Sequence, residues 1–213
     1  RSTPLYSSAA SDVYKRQGLI DGVTTNPSLI MKSGRDPEDV YHELARSGIP
    51  DISMEVVENM YEEGKRLHDI FKDQCTIKVP CTVEGLQTCK QLSDEGIKVN
   101  VTLIFNAAQA ILSAKAGATY VSPFIGRLDD NSVAGLEIVR SISEVYRVHQ
   151  VKTQILAASI RDVYKVSRAF WNGAHVVTMP PKIFNGMYNH VLTVIGLEIF
   201  DKDWLSVNKI TVY

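Results

Sequence analysis

Short apolar runs alternate with longer segments of helical periodicity from Gly18 onward, and this alternation limits the possible folds more than any other feature. The strand candidates are residues 22–26, 51–57, 76–80, 99–105, 119–124, 154–159 and 175–179. The helix candidates are residues 36–47, 60–72, 83–95, 106–116, 133–149 and 161–172. A strand–helix unit that repeats roughly every 25–30 residues predicts parallel strands joined by right-handed crossovers.

Two α/β architectures fit this pattern: an open doubly wound sheet and a closed (β/α)8 TIM barrel. No G-x-G-x-x-G sequence follows an early strand candidate, so the dinucleotide-binding form of the open sheet has no support. A barrel requires an eighth strand, and residues 1–17 are the only place left for it. No Pro-, Gly- or Ser-rich linker divides the remainder, so residues 18–213 are predicted to form a single domain.

Charge and composition exclude several kinds of partner. The formal net charge is −1 and no basic run occurs, so neither nucleic acid nor a membrane surface is expected as a partner. No apolar run reaches the roughly 18 residues that indicate a transmembrane helix. The three cysteines, at positions 75, 81 and 89, fit neither a disulfide framework nor a zinc pattern. We therefore expect reduced thiols in a cytoplasmic protein.

Six strand candidates carry polar side chains on one face and apolar side chains on the other, because successive side chains of a strand alternate. The polar residues that stand out are Thr24, Asn26, Ser53, Glu55, Lys78, Asn100, Thr102, Ser122 and Ser159. An antiparallel sheet with one solvated side would show the same alternation, but the intervening helices argue against it. If helices cover a parallel sheet, the polar set points into a barrel. Burying that set is unfavourable unless its members pair, and such a conflict indicates a functional site.

Lys78 lies at the centre of the apolar run IKV, where a core residue is expected. An ammonium in a crowded lumen loses hydration, which lowers its pKa and makes the neutral amine available to attack a carbonyl. The alternative is a lysine that snorkels at a strand end or pairs with Glu55. The residue alone leaves both interpretations open.

Two arginines follow the fifth and sixth strand candidates, Arg127 in SPFIGRLDD and Arg161 in ASIRD. Loops at the carboxyl ends of barrel strands carry the active site, and guanidinium groups there suit a phosphate. The alternative is a pair of surface salt bridges with Asp129 and Asp162.

Taken together, these residues resemble the transaldolase family, Schiff-base class I aldolases on a (β/α)8 barrel. The matching stretches are GVTTNPSLI (22–30), ISMEVV (52–57), IKVPCTVEGL (77–86), VNVTLIF (99–105), GATYVSPFIGRLDD (117–130) and ILAASIRD (155–162). The chain length resembles the short subfamily, which includes the fructose-6-phosphate aldolases and assembles into ring-based decamers.

The resemblance implies a role for each matching residue. Lys78 falls on the Schiff-base lysine, while Glu55 and Thr102 fall on the pair that positions a catalytic water. The positions implied to bind the substrate are Thr24, Asn26, Asn100, Ser122, Phe124, Arg127, Ser159 and Arg161. Among these, Arg127 is implied to be the principal phosphate ligand, with Ser159 and Arg161 as accessory ligands. The implied partners are sugar phosphates and further copies of the chain, and no metal or organic cofactor is implied.

The implied reaction transfers a dihydroxyacetone unit from a ketose phosphate to an aldose phosphate, as in the non-oxidative pentose phosphate pathway. Glu55 and Phe124 resemble the transaldolases, whereas the fructose-6-phosphate aldolases have Gln and Tyr at these positions. The alternatives are fructose-6-phosphate aldolase activity and a catalytically weak sugar-phosphate-binding protein.

The amino-terminal segment departs from the family pattern. Family members open with a strand ending in Asp-Thr, and counting back from Thr24 places that aspartate near residues 4–6, where no carboxylate occurs. Residues 1–17 are either foreign, since SSAASDVYKRQ resembles translated adapter read-through, or a divergent first strand. In the second case Asp12 or Glu55 would cover the missing acid/base role. The barrel is therefore expected to have its first strand missing or altered, and turnover is expected to be slow.

The carboxyl-terminal region, residues 181–204, has helical periodicity and ends near Phe200 and Trp204. In the short subfamily a carboxyl-terminal helix reaches a neighbouring subunit. The alternative is a helix that packs on its own barrel.

Overall fold

The structure, a computed structural model, describes residues 18–210, with side chains described through residue 207. Seven parallel strands form one sheet, and their spatial order is their order along the chain. The strands are β1 Val23–Thr24, β2 Ile52–Glu55, β3 Cys75–Pro80, β4 Val99–Ile104, β5 Tyr120–Pro123, β6 Gln154–Ala157 and β7 Val176–Val177. Each lies within about two residues of its predicted bounds, because the spacing of hydrophobic residues along the chain distinguishes the buried parallel strands from the crossover helices.

Helices connect the strands. They are α1 Pro27–Ser33, α2 Pro37–Arg46, α3 Met60–Phe71, α4 Val83–Asp94, α5 Ala107–Lys115, α6 Ile125–Asp130, α7 Gly135–Val148, α8 Val163–Trp171, α9 Pro181–Gly186 and α10 Val191–Ile210, with a 3-10 turn at Lys72–Gln74. All six predicted crossover helices are present.

Two short helices, α1 and α6, were not predicted. Helix α1 begins at a proline, and the Asn26 side chain accepts a hydrogen bond from the Leu29 amide, so Asn-Pro was a local signal for its start. Helix α6 has no side-chain cap at its start, and its six residues are too few to show a helical period. The predicted carboxyl-terminal helix is two helices, because residues 187–190 interrupt it before α10 begins.

The sheet curls into a TIM-barrel-like α/β fold, as the sequence predicts, with β1 and β7 at its two edges. The curl brings these edges close at one end, since the hydroxyl groups of Thr24 and Thr178 lie 2.8 Å apart and share a hydrogen bond. The segment predicted to supply or lack the eighth strand, residues 1–17, lies outside the described residues.

The apolar core lies between the outer face of the sheet and the surrounding helices. The outward-facing strand residues Ile52, Met54, Ile77, Val79, Val99 and Val101 are all 0% exposed. The side chain of Ile77 points outward from the sheet toward the helices, because it lies beside Gly64 of α3. Since side chains alternate along β3, Lys78 must then face the lumen, as the parity argument predicts.

Helix α10 differs from the other helices because its apolar side chains are exposed. Leu192, Leu197, Phe200 and Trp204 are each more than half exposed. Among residues 18–210, no helix is long and apolar enough to cross a membrane.

Candidate active site

Strand β3 carries Lys78 into the lumen, where only 5% of the residue remains exposed. Its ammonium group donates hydrogen bonds to Glu55 Oε2 at 2.7 Å and to the carbonyl oxygen of Thr25 at 3.0 Å. Burial lowers the pKa of Lys78, the Glu55 carboxylate opposes that effect, and the positive charge of Arg127 lowers the pKa further. The environment therefore favours a neutral amine more than water does.

Glu55 lies opposite Lys78 because the register of β2 and β3 pairs the two residues directly. The same register pairs Lys78 with Asn100 of β4. Three neighbouring strands thus bring a carboxylate, an amine and an amide to one height of the lumen. The ion pair itself was the alternative interpretation of Lys78, and its presence is compatible with a catalytic amine as well.

Asn100 is held by a hydrogen bond on each side of its amide. Its Nδ2 donates to Ser53 Oγ at 3.3 Å, and Ser122 Oγ donates to its Oδ1 at 2.7 Å. All three residues are at most 2% exposed. The contacts fix the orientation of the amide, which otherwise could flip. Ser53 was placed on the polar face but not among the site residues, because a short hydroxyl in a strand gives no sequence signal of its partner.

Thr102 has a buried hydroxyl without a hydrogen-bond partner among the described residues. It lies opposite Pro80 in the register, two residues from Lys78 along β3. The pairing of β4 with β5 shifts just after it, and Leu103 has a left-handed φ of 59°. A buried hydroxyl left open beside a polar lumen is suited to hold a water molecule or a substrate oxygen.

Strand β1 and the start of α1 supply the predicted residues Thr24 and Asn26. The Asn26 Oδ1 accepts from the Leu29 amide at 2.9 Å, so this oxygen is committed to the helix cap. Thr24 shares its hydroxyl hydrogen bond with Thr178. Thr178, which follows β7, is a second residue that sequence reasoning missed, because the contact joins the two edges of the sheet.

A cavity of about 780 Å³ joins Lys78 to both arginines. Eight of the eleven predicted site residues line it, namely Thr24, Asn26, Lys78, Ser122, Phe124, Arg127, Ser159 and Arg161. The other three are in the immediate surroundings. Glu55 bonds to Lys78, Asn100 bonds to Ser122, and Thr102 lies beside Pro80 in the register.

The two arginines extend from loops that pack closely together. The Arg127 guanidinium lies 4.8 Å from the centre of the Phe124 ring, a cation–π arrangement. The Gly126 amide donates to the carbonyl oxygen of Ser159 at 3.1 Å, and a Cβ on Gly126 would lie 2.3 Å from that oxygen. Ser159 has a left-handed φ of 61°. Glycine therefore permits an approach that any side chain would prevent.

The alternative interpretation of Arg161, a surface salt bridge, is present, but it named the wrong carboxylates. Arg161 pairs with Asp130, whereas Asp129 and Asp162 both face the Lys165 ammonium, at 2.7 and 3.6 Å. The sequence could not distinguish these partners, because α6 orients two consecutive aspartates differently.

Chemically, the site offers a desolvated amine next to a carboxylate, several amide and hydroxyl groups, and two guanidinium groups that line the same cavity. This arrangement suits a polar, carbonyl-bearing molecule with an anionic terminus. No cluster of residues able to hold a metal ion occurs within the described part of the chain.

Comparisons with known proteins find relatives over most of the chain. A family model described as transaldolase/fructose-6-phosphate aldolase matches residues 8–209. A "Probable transaldolase" of Paracoccus denitrificans is 53% identical over 196 residues, covering 90% of this chain and 90% of that protein. A "Probable transaldolase" of Cereibacter sphaeroides is 51% identical over 196 residues, covering 90% and 89%. One of Nitrosopumilus maritimus is 47% identical over 199 residues, covering 91% and 89%.

The wild type is expected to become more stable relative to Lys78→Met as the pH rises toward 10.5, the ordinary lysine pKa. Burial lowers the Lys78 pKa in the folded state, so between that lowered pKa and 10.5 the unfolded chain binds more protons than the folded one. Wild-type stability therefore rises with pH in this window, by up to about 1.4 kcal/mol per pH unit. Urea unfolding from about pH 7 to about pH 10 measures the slope.

The same substitution at Lys72, which is exposed, controls for the loss of a lysine elsewhere. A difference between wild type and Lys78→Met that stays flat or falls with pH would contradict the lowered pKa.

Proposed function

Because the chain belongs to the transaldolase/fructose-6-phosphate aldolase family, we propose that it is a transaldolase that works through a Schiff base on Lys78. Its donor is a ketose phosphate such as fructose 6-phosphate or sedoheptulose 7-phosphate, its acceptor is an aldose phosphate, and its place is the non-oxidative pentose phosphate pathway in the cytoplasm. The observation that carries the proposal is Lys78, buried, with a lowered pKa and in contact with a carboxylate.

In the first step, the neutral amine of Lys78 attacks the C2 carbonyl of the ketose. Glu55, 2.7 Å from the amine, is positioned to take its proton, directly or through a water molecule held by the open hydroxyl of Thr102. Loss of the C2 oxygen as water then leaves an iminium. Glu55 returns its proton to the departing C2 oxygen and can then accept the proton of the C4 hydroxyl. The C3–C4 bond breaks, its electron pair moves into the iminium to give an enamine on Lys78, and the remainder of the sugar leaves as an aldehyde.

Binding depends on the polar lumen. Asn100, oriented by Ser53 and Ser122, presents a fixed amide to substrate hydroxyls next to Lys78. Thr24 and Asn26 line the same cavity as Lys78. Several strands thus offer donors and acceptors to the sugar chain, which favours a polyol over an apolar carbonyl compound.

The phosphate end of the substrate is assigned to Arg127, Ser159 and Arg161. Arg127 also helps to lower the Lys78 pKa, which requires that its charge act across the cavity. A guanidinium pair is suited to a phosphate because its planar N–H groups match phosphate oxygens.

Transfer is favoured over free aldol cleavage because Glu55 and Phe124 both resemble the transaldolases at these positions, and Phe124 adds a physical reason. Its ring stands against Phe105, at 6.0 Å between centroids, and under Arg127. A phenyl group cannot donate a proton or hold a water near the bound three-carbon unit, so the unit stays on Lys78 until an aldose accepts it. Product formation that requires an acceptor separates this function from fructose-6-phosphate aldolase activity.

A second candidate function is a catalytically weak sugar-phosphate-binding protein. The observation that favours it is the absence of a carboxylate at residues 4–6, where the family places its general acid/base. This candidate predicts thermal stabilisation by sugar phosphates without turnover.

Borohydride reduction in the presence of fructose 6-phosphate is expected to leave a covalent adduct on Lys78, detected by peptide mass spectrometry. Lys78→Arg should abolish the adduct, because a guanidinium is always protonated and cannot form the imine. Lys98→Arg is the matched control, since Lys98 is also a partly buried lysine, paired with Asp51 at 2.8 Å. An adduct on another lysine, or none in the wild type, would refute the proposed chemistry.

We further propose that the missing carboxylate limits turnover. Replacing residues 1–17 with a strand that ends in Asp-Thr should raise kcat by about 10²–10⁴-fold, the usual contribution of a general acid/base. The control replacement ends in Asn-Thr, which restores the strand without the acid. An unchanged kcat, or equal gains from both replacements, would show that the carboxylate is not what limits the rate.

Helix α10 supports a further part of the proposal, a homo-oligomer, which family resemblance suggests is a ring-based decamer. A single chain leaves large apolar side chains of this helix in water, and such a surface is typical of a subunit interface.

The wild type is expected to sediment as an oligomer, and Phe200→Asp with Trp204→Asp should lower its mass, because two charges would have to enter the apolar contact. Val148→Asp is the control, since Val148 is 61% exposed on α7. Sedimentation velocity measures the masses, and a wild-type monomer would contradict the assembly.

A further inference from the structure

Four charged residues link the end of α6 to the loop and helix that follow β6. Asp130 engages both terminal nitrogens of Arg161 with its two carboxylate oxygens. Beside it, Asp129 accepts from Lys165 Nζ at 2.7 Å and from the Gly135 amide at 3.0 Å. The two consecutive aspartates therefore hold two cations from the loop and helix that follow β6, and of these Arg161 lines the cavity.

The Asp130 contact uses one N–H of each terminal nitrogen of Arg161, so the second N–H of each remains for another ligand. Arg161 Nε lies 2.7 Å from the point that a Cβ on Gly126 would occupy, and Ser159 Oγ lies 2.9 Å from the same point. Arg161 and Ser159 thus both pack beside the Gly126 backbone, one residue before Arg127, and all three of Arg127, Ser159 and Arg161 line the cavity.

We propose that Asp130 is a positioning residue, which fixes the Arg161 guanidinium so that its remaining N–H groups face the phosphate group of the substrate. The proposal rests on the proposed function, because it assigns the same anion to Arg161 and Ser159. Asp130 itself does not touch the phosphate. It acts through Arg161.

The physical reason is the freedom of an exposed arginine. Arg161 is about half exposed, and a long side chain in that setting loses rotamer entropy when it binds an anion. A carboxylate that grips two nitrogens at once orders the planar group before the substrate arrives. The carboxylate also places a negative charge near the phosphate, which opposes binding. Asp130→Asn therefore weakens phosphate binding if the ordering of Arg161 is the larger influence, and strengthens it if charge repulsion is. We infer that the ordering of Arg161 is larger.

The test compares a phosphorylated with an unphosphorylated carbonyl compound in the borohydride reaction on Lys78. Asp130→Asn should raise the half-saturating concentration of fructose 6-phosphate about two- to fivefold, the range of an exposed ion pair. The half-saturating concentration of dihydroxyacetone, which carries no phosphate, is the reference for general damage to the site. Asp130→Glu, which keeps the carboxylate fork, should recover part of the loss.

Two matched variants show whether the effect passes through Arg161. Glu144→Gln removes a comparable exposed carboxylate, which accepts from Arg147 at 2.7 and 3.2 Å on α7, and should change neither concentration. In an Arg161→Lys background, Asp130→Asn should have no further effect, because a lysine has no planar fork to orient.

Each outcome supports or overturns the inference. The inference is overturned if Asp130→Asn lowers the half-saturating concentration of fructose 6-phosphate or leaves it unchanged. It is also overturned if the half-saturating concentrations of both compounds rise equally. If the wild type forms no adduct with either compound, the proposed function fails, and inorganic phosphate then tests Asp130 by itself. Phosphate should raise the melting temperature of the wild type more than that of Asp130→Asn, and equal shifts would overturn the inference.

Discussion

The need to bury the apolar face of every strand under a helix governs the rest of this structure. Helices cover the outer face of the sheet, so the outward residues Ile77 and Val79 are fully buried and their neighbours must point inward. The inward set is polar, and several of its members form hydrogen bonds with one another, whereas the Thr102 hydroxyl has no partner among the described residues. Lys78 donates hydrogen bonds to Glu55 and to the Thr25 carbonyl oxygen, and Asn100 forms hydrogen bonds through both the nitrogen and the oxygen of its amide. A chemically reactive interior follows from an ordinary packing rule applied to an unusual choice of side chains.

Within that interior, burial and the nearby Glu55 charge have opposite effects on the pKa of the Lys78 amine. Lys78 is nearly inaccessible, which lowers its pKa, and Glu55 compensates only in part. Thr102 adds an open hydroxyl two residues further along the lumen, opposite Pro80. These features are unfavourable for stability, since a well-packed apolar lumen would avoid desolvating a charge. Their concentration around one amine, which shares a cavity with both arginines, is what the proposed Schiff-base chemistry requires.

Much of this could be predicted from residues alone. All seven described strands and the six crossover helices follow from hydrophobic period, and the lumen-facing set follows from alternation along each strand. Eight of the eleven predicted residues line one cavity because corresponding strand ends converge on one face of a barrel. The predictions failed where the signal was shorter than a helical period, as in α6, or where a partner lay far along the chain. Asp130 lies 31 residues from Arg161, and nothing local selects it over Asp129.

The sequence by itself determined the parallel α/β class, the face of each strand and the kinds of chemical group available, because these depend on the order of neighbouring residues. The tertiary structure alone decided which groups meet. It set the register that pairs Glu55 with Lys78, the Ser53 and Ser122 contacts of Asn100, and the close approach of Gly126 to Ser159. These contacts depend on how the sheet curls and how loops cross its end, and no single segment of the chain encodes either.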